Sequence, residues 1–224
     1  MLTKIKRAYL AADFDSTLTY QNIFWLFMAG NLLGVLLEGI WCKIRLGHWE
    51  THVVTVWGPF CLIYGLGAVL LYIGNTKFKS KNLFLKFALL CLLADAAEYF
   101  CGWLLKVALG MKAWDYSNCF MNLHGLITLE MTLLWGVAGI IFGYLLMPAL
   151  TKAFKKMQTA KWRIAAICLS VFMIINILFT AICMVRWSGR HHGMPPKNRL
   201  EAAVDTVYND AFMESRFCEW QFIA

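Results

Sequence analysis

Charge is scarce in this chain. Of its 224 residues only 15% are Asp, Glu, Lys or Arg, whereas a soluble domain of this size carries about 25%. The shortage is matched by an excess, since 60% of the residues are apolar and the mean hydropathy is +0.60. Together these exclude a water-soluble fold, a disordered chain and a coiled coil. Proline is limited to four residues, so long helices are rarely interrupted. The eight cysteines contain no CxxC pair and no recognised metal-ligand spacing, which argues against a disulfide-stapled module and leads us to expect no metal or other cofactor. Cys42, Cys119 and Cys218 lie outside or near the ends of the apolar runs, leaving room for a Cys42–Cys119 bridge. Neither a GxxxxGK[ST] phosphate loop nor a GxSxG nucleophile elbow occurs.

What remains are five long apolar runs, and a bilayer explains them. About 20 apolar residues cross the hydrocarbon as a helix. The runs are 20–41, 53–74, 83–110, 120–150 and 162–187. The expected fold class is therefore all-α, a polytopic transmembrane helical bundle of about five spans. A basic N-terminal tail (1–19) precedes the bundle (20–187), and a polar C-terminal tail (188–224) follows it. Pro195 and Pro196 in that tail precede an expected short amphipathic helix from Asn198 to about Val207.

Net charge is +8, but the basic residues sit in short clusters between the apolar runs, not in a module that reads nucleic acid. The N-terminal tail and the second and fourth loops hold eleven Lys or Arg, against seven for the other side. By the positive-inside rule the N-terminus is cytoplasmic and the C-terminus is outside. The surroundings are then membrane lipid, in a bacterial inner membrane if the resemblance below holds, with no nucleic-acid partner.

Ionisable groups in a bilayer are costly and normally face the bundle interior or a water-filled path. Gly30, Gly34 and Glu38 recur every fourth residue and share one helix face, so Glu38 should face protein. Asp95 and Glu98 lie one turn apart on the third run, where two ionised carboxylates would repel or hold a proton or cation between them. The fourth run carries a small and polar stripe through His124, Thr128, Thr132, Gly136, Gly139 and Gly143. Its Gly139–Gly143 pair could equally pack a neighbouring helix or a second copy of the chain, so a homo-oligomer is one expected partner state. Glu130 lies off that stripe, suiting contact with another helix or another copy. The segment Trp114-Asp115-Tyr116-Ser117, followed by Asn122 and His124, concentrates polar groups at a membrane boundary. The candidate substrate-binding set is Glu38, Tyr64, Asp95, Glu98, Trp114, Asp115, Tyr116, Ser117, Asn122 and His124, with no catalytic residue assigned.

In order along the chain, GVLLEGIW (34–41), GPFCLIYG (58–65), Glu98-Tyr99, WDYS…FMNLHGLITL (114–129), RHHGMPPKN (190–198) and D…YNDAF (205–212) resemble the CmpB-type putative ABC-transporter type IV membrane family. The departures are Val35, Leu62, His124 and Leu126, together with a missing arginine before the GP segment. The resemblance implies a bacterial membrane protein described as a transporter permease, with a separate ATPase subunit as partner. Read from the residues alone, three functions compete. They are a transport subunit for a small solute, an intramembrane enzyme acting on a lipid, and a non-catalytic accessory protein.

Overall fold

A computed structural model describes residues 2–50 and 52–223, and the side chains of all of these except residues 2–4 and 46. Lys4 of the basic tail thus lies outside the described side chains. Nine α-helices form most of what is described: α1 (Leu2–Ala11), α2 (Tyr20–Leu46), α3 (Leu62–Lys77), α4 (Leu83–Leu109), α5 (Leu129–Ile141), α6 (Met147–Lys156), α7 (Ala160–His191), α8 (Arg199–Val207) and α9 (Asp210–Arg216). The fold class is all-α, as expected.

Local chemistry sets the helix ends. Thr19 caps α2 by accepting from the Asn22 amide at 3.4 Å, and Asn82 caps α4 by accepting from Leu85 at 2.8 Å. Gly47 (φ 81°) and Gly110 (φ 62°) end those two helices in the left-handed conformation that glycine adopts at least cost. Asn198 and Asn209 cap α8 and α9 in the same way, so the short tail helix begins where Pro195 and Pro196 suggest.

Three helical stretches are long and apolar enough to cross a membrane: Tyr20–Arg45, Leu129–Lys156 and Ala160–His191. The expected second run is shorter as a helix. Residues 53–61 form a loop, because Gly58 takes φ 74° before Pro59, and only the 16 residues of α3 are helical. The third run is a 27-residue helix that carries Lys86, Asp95, Glu98 and Lys106. The fourth begins nine residues later than expected. Asn122–Leu123 (β2) and Ile127–Thr128 (β3) pair as a tight hairpin in place of a first helical turn. His124 (φ 55°) and Gly125 (φ 70°) are both left-handed at its tip, the geometry of a primed hairpin turn. The Asn122 Oδ1 accepts from the Gly125 amide at 3.0 Å and fixes that turn.

Between α5 and α6 the helix widens into a π-turn at Phe142–Leu146. Pro148 has no amide to donate one turn back, and the widened turn absorbs the mismatch. Asn75 fits there, donating its amide to Gly139 O at 2.9 Å, and a Cβ on Gly143 would strike it. Close approach organises the rest of the bundle. Gly30 and Gly34 receive Tyr64, Gly65 and Ala68 of α3, and Gly136 receives Cys91 and Phe87 of α4. Gly139 meets Leu71 and Leu90 of the same chain. The second glycine face, open to a partner copy on sequence grounds, is thus covered from within. Glu130 is exposed in the first turn of α5, where its charge suits the helix N-terminus. Outward residues are strongly apolar, with Leu37 63%, Val107 66% and Ile44 74% exposed, as a lipid-facing belt requires.

The bundle has two differently built ends. At one, Tyr9 and Phe14 of the N-terminal tail pack with Tyr72, Met147 and Phe154. At the other, the C-terminal tail folds back: Val204, Met213 and Phe217 join Val56, Met111, Cys183, Met184 and Trp187 in one cluster. Gln221–Phe222 (β4) pairs antiparallel with Met111–Lys112 (β1). Arg186 and Arg190 of α7 hold Asp205 of α8, each at 2.5 Å.

Candidate functional site

The stripe on α2 places Glu38 on the face that packs α3, beside the Tyr64 side chain. Glu38 Oε1 also lies 3.1 Å from Nδ1 of His52 in the loop between α2 and α3. Glu219, from beyond α9, contacts the same nitrogen. On its other side His52 Nε2 lies 3.2 Å from Cys42 Sγ and 3.6 Å from Glu50 Oε2. Burial alone would lower the His52 pKa, but the close contact and charge of Glu38, with Glu219 and Glu50, raise it overall. Burial pushes the Glu219 carboxyl up to about 7; Glu38 and Glu50 push the same way, and His52 opposes them.

Glu98 is the second focus and is only 8% exposed. Tyr116 OH donates to its Oε1 at 3.3 Å and Trp135 Nε1 donates to its Oε2 at 3.1 Å. Tyr116 also feels Glu38. Its phenol is raised by burial first, then by Glu98 and, less, by Glu38. Tyr64 in turn packs beside Trp135, with ring centroids 6.4 Å apart. Glu38 and Tyr64, on α2 and α3, thus lie near the polar pair of Tyr116, from the loop before α5, and Glu98 of α4, and this grouping is the polar line of the bundle. A cavity of about 20 Å³ borders it, lined by Gly67, Ala97, Glu98 and Trp135 among others. That is room for one water.

The other expected residues fall elsewhere. Asp95 Oδ2 accepts from Thr132 at 2.9 Å, while its buried Oδ1 has no hydrogen-bond partner. Trp114 Nε1 donates to Leu126 O at 2.9 Å. Asp115 binds Lys112 at 2.6 Å and accepts from both the amide and the hydroxyl of Ser117. Lys112, followed by Ser117, holds the Asp115 carboxyl well below the usual range. Asn122 donates to the Ser117 and Cys119 carbonyls, and His124 Nδ1 pairs with Tyr99 OH at 2.8 Å. These five residues build the exposed loop that presents Tyr116. Ser117 pairs with Asp115 and His124 with Tyr99, so Ser117 and His124 are not hydrogen-bonded to each other.

Of the ten expected residues, Glu38, Tyr64, Glu98 and Tyr116 come together. Sequence reasoning missed His52 as the partner of Glu38 and Trp135 as a donor to Glu98. Trp135 follows Glu98's partner stripe at helical spacing from Thr128 and Thr132, so periodicity could have found it. The cysteines, including Cys42 and Cys119, are free thiols.

A family model described as putative ABC-transporter type IV matches residues 25–181, well over half of the chain and all of the polar line. No curated protein and no solved structure matches.

Proposed function

The chain belongs to the putative ABC-transporter type IV family, and from that premise we propose that it is the permease-type membrane subunit of a transporter for a small polar solute. The observation that carries this reading is the line of Glu38, Tyr64, Tyr116 and Glu98 inside an otherwise apolar bundle. A buried carboxylate such as Glu98, held between helices, is costly in lipid and characteristic of ion and solute paths. The 20 Å³ cavity beside Glu98 admits a water and no solute, so this conformation is closed and transport requires it to open. The sequence has no phosphate-binding loop, so ATP hydrolysis belongs to a separate subunit.

The proposed topology has five crossings, with α3 and α4 also passing through the bilayer. It is supported by the clustering of the N-terminal tail with residues 72–79 and 142–158 at one end, and of the C-terminal tail with residues 55–58 and 109–112 at the other. Lys77, Lys79, Lys81 and the cluster from Lys152 to Arg163 flank the first end, which supports reading it as the cytoplasmic face of a bacterial inner membrane.

Cross-linking in native membranes, followed by purification and an ATPase assay, tests this. We expect stoichiometric capture of a nucleotide-hydrolysing subunit, with activity reduced at least tenfold by Glu38→Gln or Glu98→Gln. Failure to capture such a subunit refutes the permease reading. Hydrolysis indifferent to both substitutions refutes the assignment of the polar line.

A further inference from the structure

The contacts around His52 are more specific than a stray ion pair. Its Nε2 lies 3.2 Å from Cys42 Sγ and 3.6 Å from Glu50 Oε2, and the ligand atoms of these three residues all lie within 4.8 Å of one another. Zinc binds nitrogen or oxygen at about 2.0–2.2 Å and sulfur at about 2.3 Å, so neighbouring ligands in a tetrahedral site sit roughly 3.3–3.8 Å apart. Two of the observed separations already match a tetrahedral edge to within a few tenths of an ångström. The other imidazole nitrogen lies beside carboxylates, Glu38 Oε1 at 3.1 Å and Glu219, as close ion-pair neighbours with no aligned hydrogen bond to either. A carboxylate behind the distal nitrogen is how metal-bound histidines are oriented and made more basic. His48 Nε2 holds Glu50 Oε1 at 2.8 Å, leaving Oε2 turned toward His52. Cys42 is only 6% exposed, which shields a thiolate from oxidation.

Charge points the same way. Three carboxylates and a thiol converge on one imidazole, and a dication placed among them would relieve their mutual repulsion.

We propose that Cys42, Glu50 and His52 bind one divalent transition-metal ion of the zinc class, with Glu38 and Glu219 positioning His52 from behind. Three protein ligands leave a fourth coordination position for water. The ion sits where α2 ends and the loop before α3 begins, and through Glu219 it ties the C-terminal tail to that loop. The site is independent of the transport reading, because its readout is metal content and not solute movement.

The test uses the full chain in detergent, stripped with a chelator, with the exposed Cys119, Cys168 and Cys218 replaced by serine throughout. Titration with Co²⁺ alone should give one equivalent of a thiolate-to-metal charge-transfer band with tetrahedral visible absorption, displaced by Zn²⁺. Cys42→Ser should abolish the charge-transfer band, and His52→Gln should abolish stoichiometric binding. Glu38→Gln should keep the band and weaken affinity by roughly 10- to 100-fold, as loss of a histidine-orienting carboxylate does. X-ray absorption on the unsubstituted zinc form should read one sulfur with nitrogen and oxygen neighbours, and needs no variant to fold. No saturable thiolate band in the parent, an unchanged band in Cys42→Ser, or a metal shell without sulfur would each overturn the proposal.

Discussion

Gly30 offers a quantitative test of how α2 and α3 hold the polar line. A Cβ built on Gly30 falls 2.8 Å from Tyr64 O, 2.9 Å from Ala68 Cβ and 3.0 Å from Gly65 Cα. Comfortable carbon contacts lie at about 3.5–4.0 Å. Two of the three obstacles are backbone atoms, so Gly30→Ala forces the helices roughly 0.5–1 Å apart. Overpacking of this kind costs about 1–3 kcal/mol. The better helix propensity of alanine returns up to about 1 kcal/mol. Gly67 is the internal control, since its Cβ would meet only the Trp135 ring, at 3.4 and 3.5 Å. Gly67→Ala should therefore keep the propensity gain and suffer no clash. The two variants should differ by about 1–3 kcal/mol, or roughly 3–10 °C in the midpoint of a thermal melt for a chain of this size. The same displacement would shift Tyr64 relative to Glu38, so Gly30→Ala should also lose coupled ATPase activity while Gly67→Ala keeps it. A Gly30→Ala protein melting at or above Gly67→Ala would refute this account of the α2–α3 contact.

Three further outcomes follow from buried pairs at the two ends of the bundle. Asp205→Asn removes the carboxylate that Arg186 and Arg190 share at 2.5 Å, costing about 2–3 kcal/mol of tail docking, and amide exchange across 199–216 should accelerate roughly 30- to 100-fold. The Asp205 pKa is lowered, by the Arg186 hydrogen bond first, so its contribution is present above the unfolded-state value of about 3.9 and is lost as pH falls through the lower folded value. Exchange corrected for intrinsic rate should thus be flat from pH 7 to about 4 and rise below it; a rise centred near neutrality would contradict the assignment. Tyr9→Phe removes the acceptor of the fully buried Lys86 ammonium, 2.6 Å away, and should cost about 2–3 kcal/mol. Adding Lys86→Met should recover part of that loss, and a double variant less stable than Tyr9→Phe would show that Lys86 is held by something else.

The sequence revealed helix identity and facing better than helix length. Hydropathy scores side chains and is blind to backbone partners. It extended the second run back to Val53, although Asn176 and Thr180 of α7 take up the Trp57 and Val56 backbone and Arg216 binds Thr55 O. The Gly58-Pro59 pair could have marked a break and Asn122-Leu123-His124-Gly125 a turn, but the apolar runs pass through both. The Gly30–Gly34–Glu38 stripe was read from spacing alone, because one helix holds all three residues. The metal ligands were not legible. Cys42 lies in the last turns of α2, Glu50 and His52 follow in a loop, and Glu219 arrives from the far end of the chain. Likewise Val204, Met213 and Phe217 sit in a polar-looking tail, and only folding back on Trp187 makes them core.

Glu98 shows how the structural and functional contributions of a buried carboxylate can be separated. Its two partners differ in kind. The Trp135 indole can only donate, whereas the Tyr116 hydroxyl can donate or accept. A glutamine at 98 therefore has one satisfied arrangement, its carbonyl toward Trp135 and its amide toward a reversed Tyr116 hydroxyl. Glu98→Gln should fold with a loss below about 1 kcal/mol, since every hydrogen bond can be remade. Glu98→Leu cannot do this. It strands both donors in an apolar setting, at about 1–3 kcal/mol each, and should melt well below the parent. The transport reading needs the charge and not merely the hydrogen bonds, so it requires Glu98→Gln to be as inactive as Glu98→Leu despite near-parental stability. If activity instead follows stability through the series, with Glu98→Gln close to the parent and only Glu98→Leu impaired, Glu98 is a packing residue and the polar line carries no solute.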